Sequence, residues 1–124
     1  MHDLCIVIRR PPYGTLGAAE GVRHLIGAAQ AGMSVYAVLV DDGVYLAKEG
    51  QDPGGTGWTS LSGALGPALG SGATGSSTRA RAYVHRPSAE SRGLDSLTLV
   101  PGVELIDDAR LAALLASAET LLIF

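Results

Sequence analysis

Apolar residues in this chain fall into short unbroken runs, separated by segments with helical spacing. Leu4-Cys5-Ile6-Val7-Ile8 is continuously apolar, as a strand buried on both faces requires. Arg9-Arg10-Pro11-Pro12-Tyr13-Gly14 ends it, because proline cannot donate to a strand ladder. Thr15 is the expected N-cap of a helix running to about Ala31. Val22, Leu25, Ile26 and Ala29 share one face of it, and Gly32 is its natural stop. Val35–Val40 is a second buried-type strand, closed by a turn at Asp41-Asp42-Gly43. Strand, helix and strand over this length form a βαβ unit, whose crossover is right-handed.

Residues 50–78 break the pattern. Glycine and serine dominate, and Trp58, Leu61, Leu65 and Leu69 form one stripe of a short helix weakened by Gly63, Gly66 and Pro67. The expectation is a loosely held helix between two flexible loops, acting either as a docking or lid segment or as a tolerated insertion.

The pattern resumes at Ala80–Val84, the third strand. Pro87 suits the first turn of a short helix and Arg92-Gly93 its end. Leu97–Val100 and Val103–Ile106 are short extended pieces around Pro101-Gly102. Asp107 is the expected cap of a last helix whose apolar face includes Leu111, Leu114, Leu115 and Ala118, and Thr120–Phe124 is a closing strand. The alternation predicts an α/β domain with a five-stranded, mainly parallel sheet and helices on both sides.

Composition narrows the function classes. At 124 residues the chain is one domain, 1–124. It is 47% hydrophobic and only 17% charged, which argues against disorder and favours self-association as cover for apolar surface. A net charge of −3 lacks the basic footprint of a nucleic-acid binder. No segment approaches the length of a membrane span, and Met1-His2-Asp3 lacks the basic start of a signal peptide. The expected location is the cytoplasm. The single cysteine, Cys5, excludes an intrachain disulfide and a cysteine zinc site.

In a parallel sheet, three strand ends meet at one edge. They bring Arg9, Arg10, Tyr13, Gly14 and Thr15 from the first strand, Asp41, Asp42 and Gly43 from the second, and His85, Arg86 and Ser88 from the third. Helix N-termini nearby suit an anion or carboxylate. Each group also has a plainer role. Arg9 and Arg10 pair with Asp41 and Asp42 or stay solvated, and two adjacent carboxylates alone are no metal site. His85 has the chemistry of a general base. Ser88, three residues on, lacks an identifiable third partner and a Gly-x-Ser-x-Gly elbow, so it reads as a residue of the helix first turn. Cys5, mid-strand among aliphatics, reads as buried and inert. No phosphate-binding glycine motif is present, and neither a metal nor a cofactor is called for.

Taken together, Arg10-Pro11-Pro12-Tyr13-Gly14-Thr15, Glu20, Leu39-Val40-Asp41-Asp42-Gly43-Val44-Tyr45, Gly50-Gln51-Asp52 and Tyr83-Val84-His85-Arg86 with Ser88, Glu90, Arg92, Gly93 and Leu94 resemble the DsrE/DsrF/DsrH family, in its DsrF (TusC-like) branch. The resemblance implies a three-layer α/β/α sandwich of Rossmann or flavodoxin type. It implies a part in intracellular sulfur trafficking, in sulfur oxidation or tRNA thiolation, within trimers or hexamers of DsrE-like and DsrH-like subunits or of copies of the chain itself. Family members that carry persulfide do so on a cysteine at the end of the third strand. The matching place here is His85, and histidine cannot store sulfane sulfur. The expected role is therefore an assembly subunit beside a cysteine-bearing partner. The alternatives are a stand-alone oligomer binding a small anion or nucleotide at the strand-end cleft, and, more remotely, a sulfurtransferase using Cys5.

Overall fold

A computed structural model describes residues 2–52, 54 and 80–124. The elements run β1 (His2–Ile8), α1 (Gly17–Gln30), β2 (Val35–Leu39), a 3₁₀ helix (Asp41–Ala47), β3 (Ala80–His85), α2 (Arg86–Ser91), β4 (Val103–Ile106), α3 (Asp108–Ser117) and β5 (Ala118–Ile123). The five strands form one sheet in the order β4-β3-β2-β1-β5. Every pairing between them is parallel.

The order follows from the connections. The chain steps from β1 through β2 and β3 to β4 in one direction, then α3 carries it back past β1 to the opposite edge. Right-handed crossovers in opposite directions put their helices on opposite faces. Side chains alternate along each strand, so the two faces hold separate cores. Leu4, Ile6 and Ile8 of β1 join Ala18, Val22 and Leu25 of α1, Val44 and Leu46 of the 3₁₀ helix and Ala89 of α2 in the larger core. Cys5 and Val7 join Tyr36, Val38, Tyr83, Ile106 and Leu114 of α3 in the smaller one. The result is the three-layer α/β/α sandwich.

α1 buries Ala18, Gly21, Val22, Leu25 and Ala28, the three-and-four spacing of a helix lying on a sheet. Ile26 and Ala29 pack at its margin. Gly32, at φ +83°, takes the left-handed conformation that ends helices. α3 begins as expected: the Asp107 carboxylate accepts from the Arg110 N–H at 2.8 Å, satisfying one of the open donors of the first turn. On the smaller core the Tyr36 hydroxyl donates to the Leu114 carbonyl, tying β2 to α3.

Four local expectations are corrected. The N-cap of α1 is Leu16, with no side-chain hydrogen bond, and not Thr15; the helix starts one residue later than the hydroxyl needs. The segment after β2 is a seven-residue 3₁₀ helix and not a simple turn; Val44, Leu46 and Ala47 earn it burial that local propensity does not reveal. Leu97–Val100 is not a strand and makes a single antiparallel bridge, Lys48 with Leu99. Ala118 opens β5 instead of closing α3, while still packing against the smaller core. The expected helix over Trp58–Leu69 lies outside the described residues.

Candidate functional site

The carboxyl ends of β1, β2 and β3 carry the candidate residues, but they divide into two groups. Around β1 and β2, a cleft of about 470 Å³ is lined by Arg9, Arg10, Asp41, Asp42, Ile123 and Phe124. Arg9 Nε lies 3.6 Å from the Asp41 carboxylate, both side chains being more than half exposed, so the pair contributes little energy. Arg92, from the end of α2, donates through Nε to Asp42 at 3.0 Å and through a terminal nitrogen to the Ser88 carbonyl at 3.1 Å. It therefore holds the 3₁₀ helix against α2. Gly43 is buried beneath the end of β1, where the Ile8 carbonyl leaves no room for a side chain. Gly14, at φ +93°, and Thr15 stand exposed on the β1–α1 connection, and Tyr13 is half-buried beside them. β1 is two strand spacings, roughly 10 Å, from β3, and Gly14 and Thr15 make none of the hydrogen bonds around His85.

The second group is centred on His85. Ser88 Oγ accepts from the Asp41 backbone N–H at 3.0 Å. His85 Nδ1 is 2.7 Å from Ser88 Oγ, and His85 Nε2 is 2.6 Å from the Asp108 carboxylate. An ionised carboxylate only accepts, so Nε2 carries the hydrogen of the second contact. In the neutral ring Nδ1 then accepts from the Ser88 hydroxyl. All three bonds run one way, from Asp41 N–H to Ser88 to His85 to Asp108, and join the ends of β2, β3 and β4. The Ser88 bond also holds Asp41 at φ +51°, the one non-glycine residue with positive φ among the described residues.

The place of this chain of bonds in the topology is specific. β3 leads into α2, which packs on the larger core through Ala89. β4 leads into α3, which packs on the smaller one through Leu114. Adjacent parallel strands whose carboxyl ends leave for opposite faces mark a topological switch point, the usual ligand position in open α/β sheets. His85 and Asp108 meet there, 2.6 Å apart.

Asp108 is the residue that sequence reasoning missed. It supplies the third partner that Ser88 and His85 lacked, yet the trio is not built as a nucleophile system. Ser88 is only 7% exposed and its oxygen already takes the Asp41 N–H, so an acyl group has no approach to it. The hydroxyl ties two loops together. His85 is 15% exposed while Asp108 is 84% exposed, which leaves the imidazole edge and the carboxylate as the parts nearest solvent. Arg86 is exposed next to them.

Cys5 is fully buried in the middle of β1. Burial pushes its thiol up to about 11, and a hydrogen bond with Tyr36 offsets this only in part. It is far from being a thiolate at neutral pH. Among the described residues no cluster of histidine, cysteine and carboxylate side chains is placed to hold a metal ion, and no helix is long and apolar enough to cross a membrane.

Comparison with known proteins agrees with this architecture. The sequence profile of the DsrE/DsrF-like family matches residues 2–124. The chain belongs to the DsrE/DsrF-like family. A family relative, the intracellular sulfur oxidation protein DsrF of Allochromatium vinosum, is 32% identical over 94% of this chain and 91% of its own length. Among solved structures, the ychN protein of E. coli superposes with a TM-score of 0.83 at 24% identity, covering both chains completely. MTH1491 of Methanobacterium thermoautotrophicum, a protein of unknown function, superposes with a TM-score of 0.63 at 14% identity over 97% of this chain and 99% of its own. These two likenesses establish the DsrE-like fold.

Proposed function

We propose that this chain is a DsrF-like subunit of a cytoplasmic sulfur relay, of the sulfur oxidation or tRNA thiolation type, that shapes the assembly without carrying sulfur itself. The observation that supports this most is the state of its two candidate sulfur-handling positions. Sulfur transfer needs an accessible thiolate. The sole cysteine is buried in β1 with its thiol pushed up to about 11. The end of β3 holds His85, with both ring nitrogens engaged. The likeness to the DsrF sulfur oxidation protein supplies the sulfur context.

On this reading the working cysteine belongs to a DsrE-like partner, with a DsrH-like subunit or further copies of the chain completing a trimer or hexamer. His85 and Arg86 face the partner's sulfur-bearing group across the interface. Native mass spectrometry of the chain drawn from its own cells tests the reading. A complex with a cysteine-bearing homologue is expected; a lone chain or a pure homo-oligomer counts against it.

The competing reading, a stand-alone homo-oligomer binding a small anion or nucleotide at the strand-end cleft, has Arg9 and Arg10 of the β1–β2 side in its favour. Asp41 and Asp42 in the same wall oppose it, because they offset that charge where an anion would sit.

A further inference from the structure

We propose that Asp108 is the positioning residue at the β3–β4 switch point: it holds His85 in the Nε2–H tautomer, with that hydrogen donated to the exposed Asp108 carboxylate. The proposal deepens the reading of His85 as a partner-facing group, and its functional meaning rests on that reading. The hydrogen-bond geometry behind it does not.

Donors and acceptors around the ring match in only one arrangement. Ser88 Oγ receives the Asp41 N–H at 3.0 Å and has one hydrogen to give. Its near neighbour is His85 Nδ1 at 2.7 Å, which in the neutral ring is then the unprotonated nitrogen. The remaining ring hydrogen is on Nε2, where Asp108 waits at 2.6 Å. The opposite tautomer fails at both ends. It would set an unprotonated Nε2 against a carboxylate that can only accept, and it would leave the buried Ser88 hydroxyl hydrogen without its acceptor. Asp108 thus acts through His85, and Ser88 completes the hold from the buried side.

The two ends of this hold differ in exposure. Ser88 is buried, whereas Asp108 stands 84% exposed on the first turn of α3. A group docking from outside meets Asp108 first and the Nε2–H behind it. A hydrogen bonded to one acceptor can be shared with a second arriving at the same edge, so the His85 edge presents a donor to an incoming lone pair. A carbonyl oxygen or a protonated thiol or persulfide sulfur meets that requirement, whereas an anionic sulfur is opposed by the exposed Asp108 carboxylate. Helix capping is not the reason for Asp108, because its neighbour Asp107 is the residue that caps α3.

Two-bond proton–nitrogen correlation spectra of the ¹⁵N-labelled full chain, recorded where His85 is neutral, test this directly. The Nε2–H form alone is expected for the wild type. Asp108→Ala should raise the Nδ1–H population several-fold, and Asp108→Glu should restore the wild-type pattern. Ser88→Ala should shift the population the same way from the other side of the ring. An Nδ1–H ring in the wild type, or an unchanged ratio in Asp108→Ala, overturns the proposal. Thermal melts of Asp108→Ala close to wild type confirm that a fold change is not being read as a tautomer change. Should that variant fail to fold, the wild-type spectrum alone still decides. These spectra need no partner, so their failure leaves the relay reading standing, and a missing partner leaves the tautomer result standing.

Discussion

A Cβ placed on Gly43 would lie 2.0 Å from the carbonyl oxygen of Ile8 and 2.7 Å from its carbonyl carbon. The same oxygen accepts the Val40 N–H at 3.1 Å, so it cannot turn away without breaking the end of the β1–β2 ladder. Gly43→Ala is therefore expected to cost at least about 2–3 kcal/mol, read from the midpoint of urea unfolding. Gly21 makes the instructive contrast. A Cβ there meets the side chain of the same residue and not its backbone, Ile8 Cδ1 at 2.7 Å and Cγ1 at 2.8 Å, with Phe124 Cδ2 at 3.5 Å. The buried Ile8 side chain must shift, at a cost of about 1–3 kcal/mol, and the better helix propensity of alanine returns about 1 kcal/mol. Gly21→Ala should therefore destabilise less than Gly43→Ala.

Ser88→Ala removes the acceptor of the Asp41 N–H and the donor to His85. Leaving such groups without partners costs about 1–3 kcal/mol, and the loss should appear in denaturant unfolding. Asp41→Gly should be near neutral in the same measurement. Glycine takes φ +51° without a Cβ penalty, and only an exposed 3.6 Å contact with Arg9 is lost.

At the start of α3, adjacent aspartates should separate by role. Asp107→Ala removes the cap on the Arg110 N–H and is expected to lower stability by about 1 kcal/mol. Asp108→Ala should cost less, and should act instead on the His85 spectrum.

Cys5 gives a pH signature with a definite sign. Its folded-state thiol is pushed from about 9 up to about 11 by burial. Below pH 9 both folded and unfolded chains keep the proton and the group adds no pH dependence. Between pH 9 and 11 the unfolded chain releases it first, so stability falls as pH rises, by on the order of 2–3 kcal/mol in total, and then levels off. Tyr36, whose hydroxyl is also raised by burial, adds a fall in the same direction. Urea unfolding of wild type and Cys5→Ala across this range isolates the cysteine part, and alkylation of the native chain should be slow at neutral pH.

Much of the architecture was legible because it is written in local pattern. The continuous apolar runs at Leu4–Ile8 and Val35–Leu39 marked doubly buried strands, Ala80–Val84 read as a third strand although the exposed Arg81 interrupts it, and the Asp107 cap marked the start of α3. The site was legible only in part. His85 and Ser88 are three residues apart and could be paired by eye. Asp108 follows His85 by 23 residues and meets it only because β4 lies beside β3 and α3 departs to the opposite face. Nothing in the residue types signals that adjacency. Gly43 looked like an ordinary turn glycine, since its real constraint, the Ile8 carbonyl, comes from a different strand. Thr15 looked like a cap because its hydroxyl suits one, but the burial of Ala18, Val22 and Leu25 sets the phase of α1 and leaves Leu16 at the boundary.

The proposed function requires that this chain carry no transferable sulfur. The most direct measurement is the intact mass and peptide map of the chain, together with the cysteine-bearing partner proposed for it, after exposure to a low-molecular-weight persulfide donor. The account expects a one-sulfur mass increment on the partner alone, with this chain unchanged and Cys5 unmodified. A transferable one-sulfur adduct on Cys5 of the native chain would contradict it.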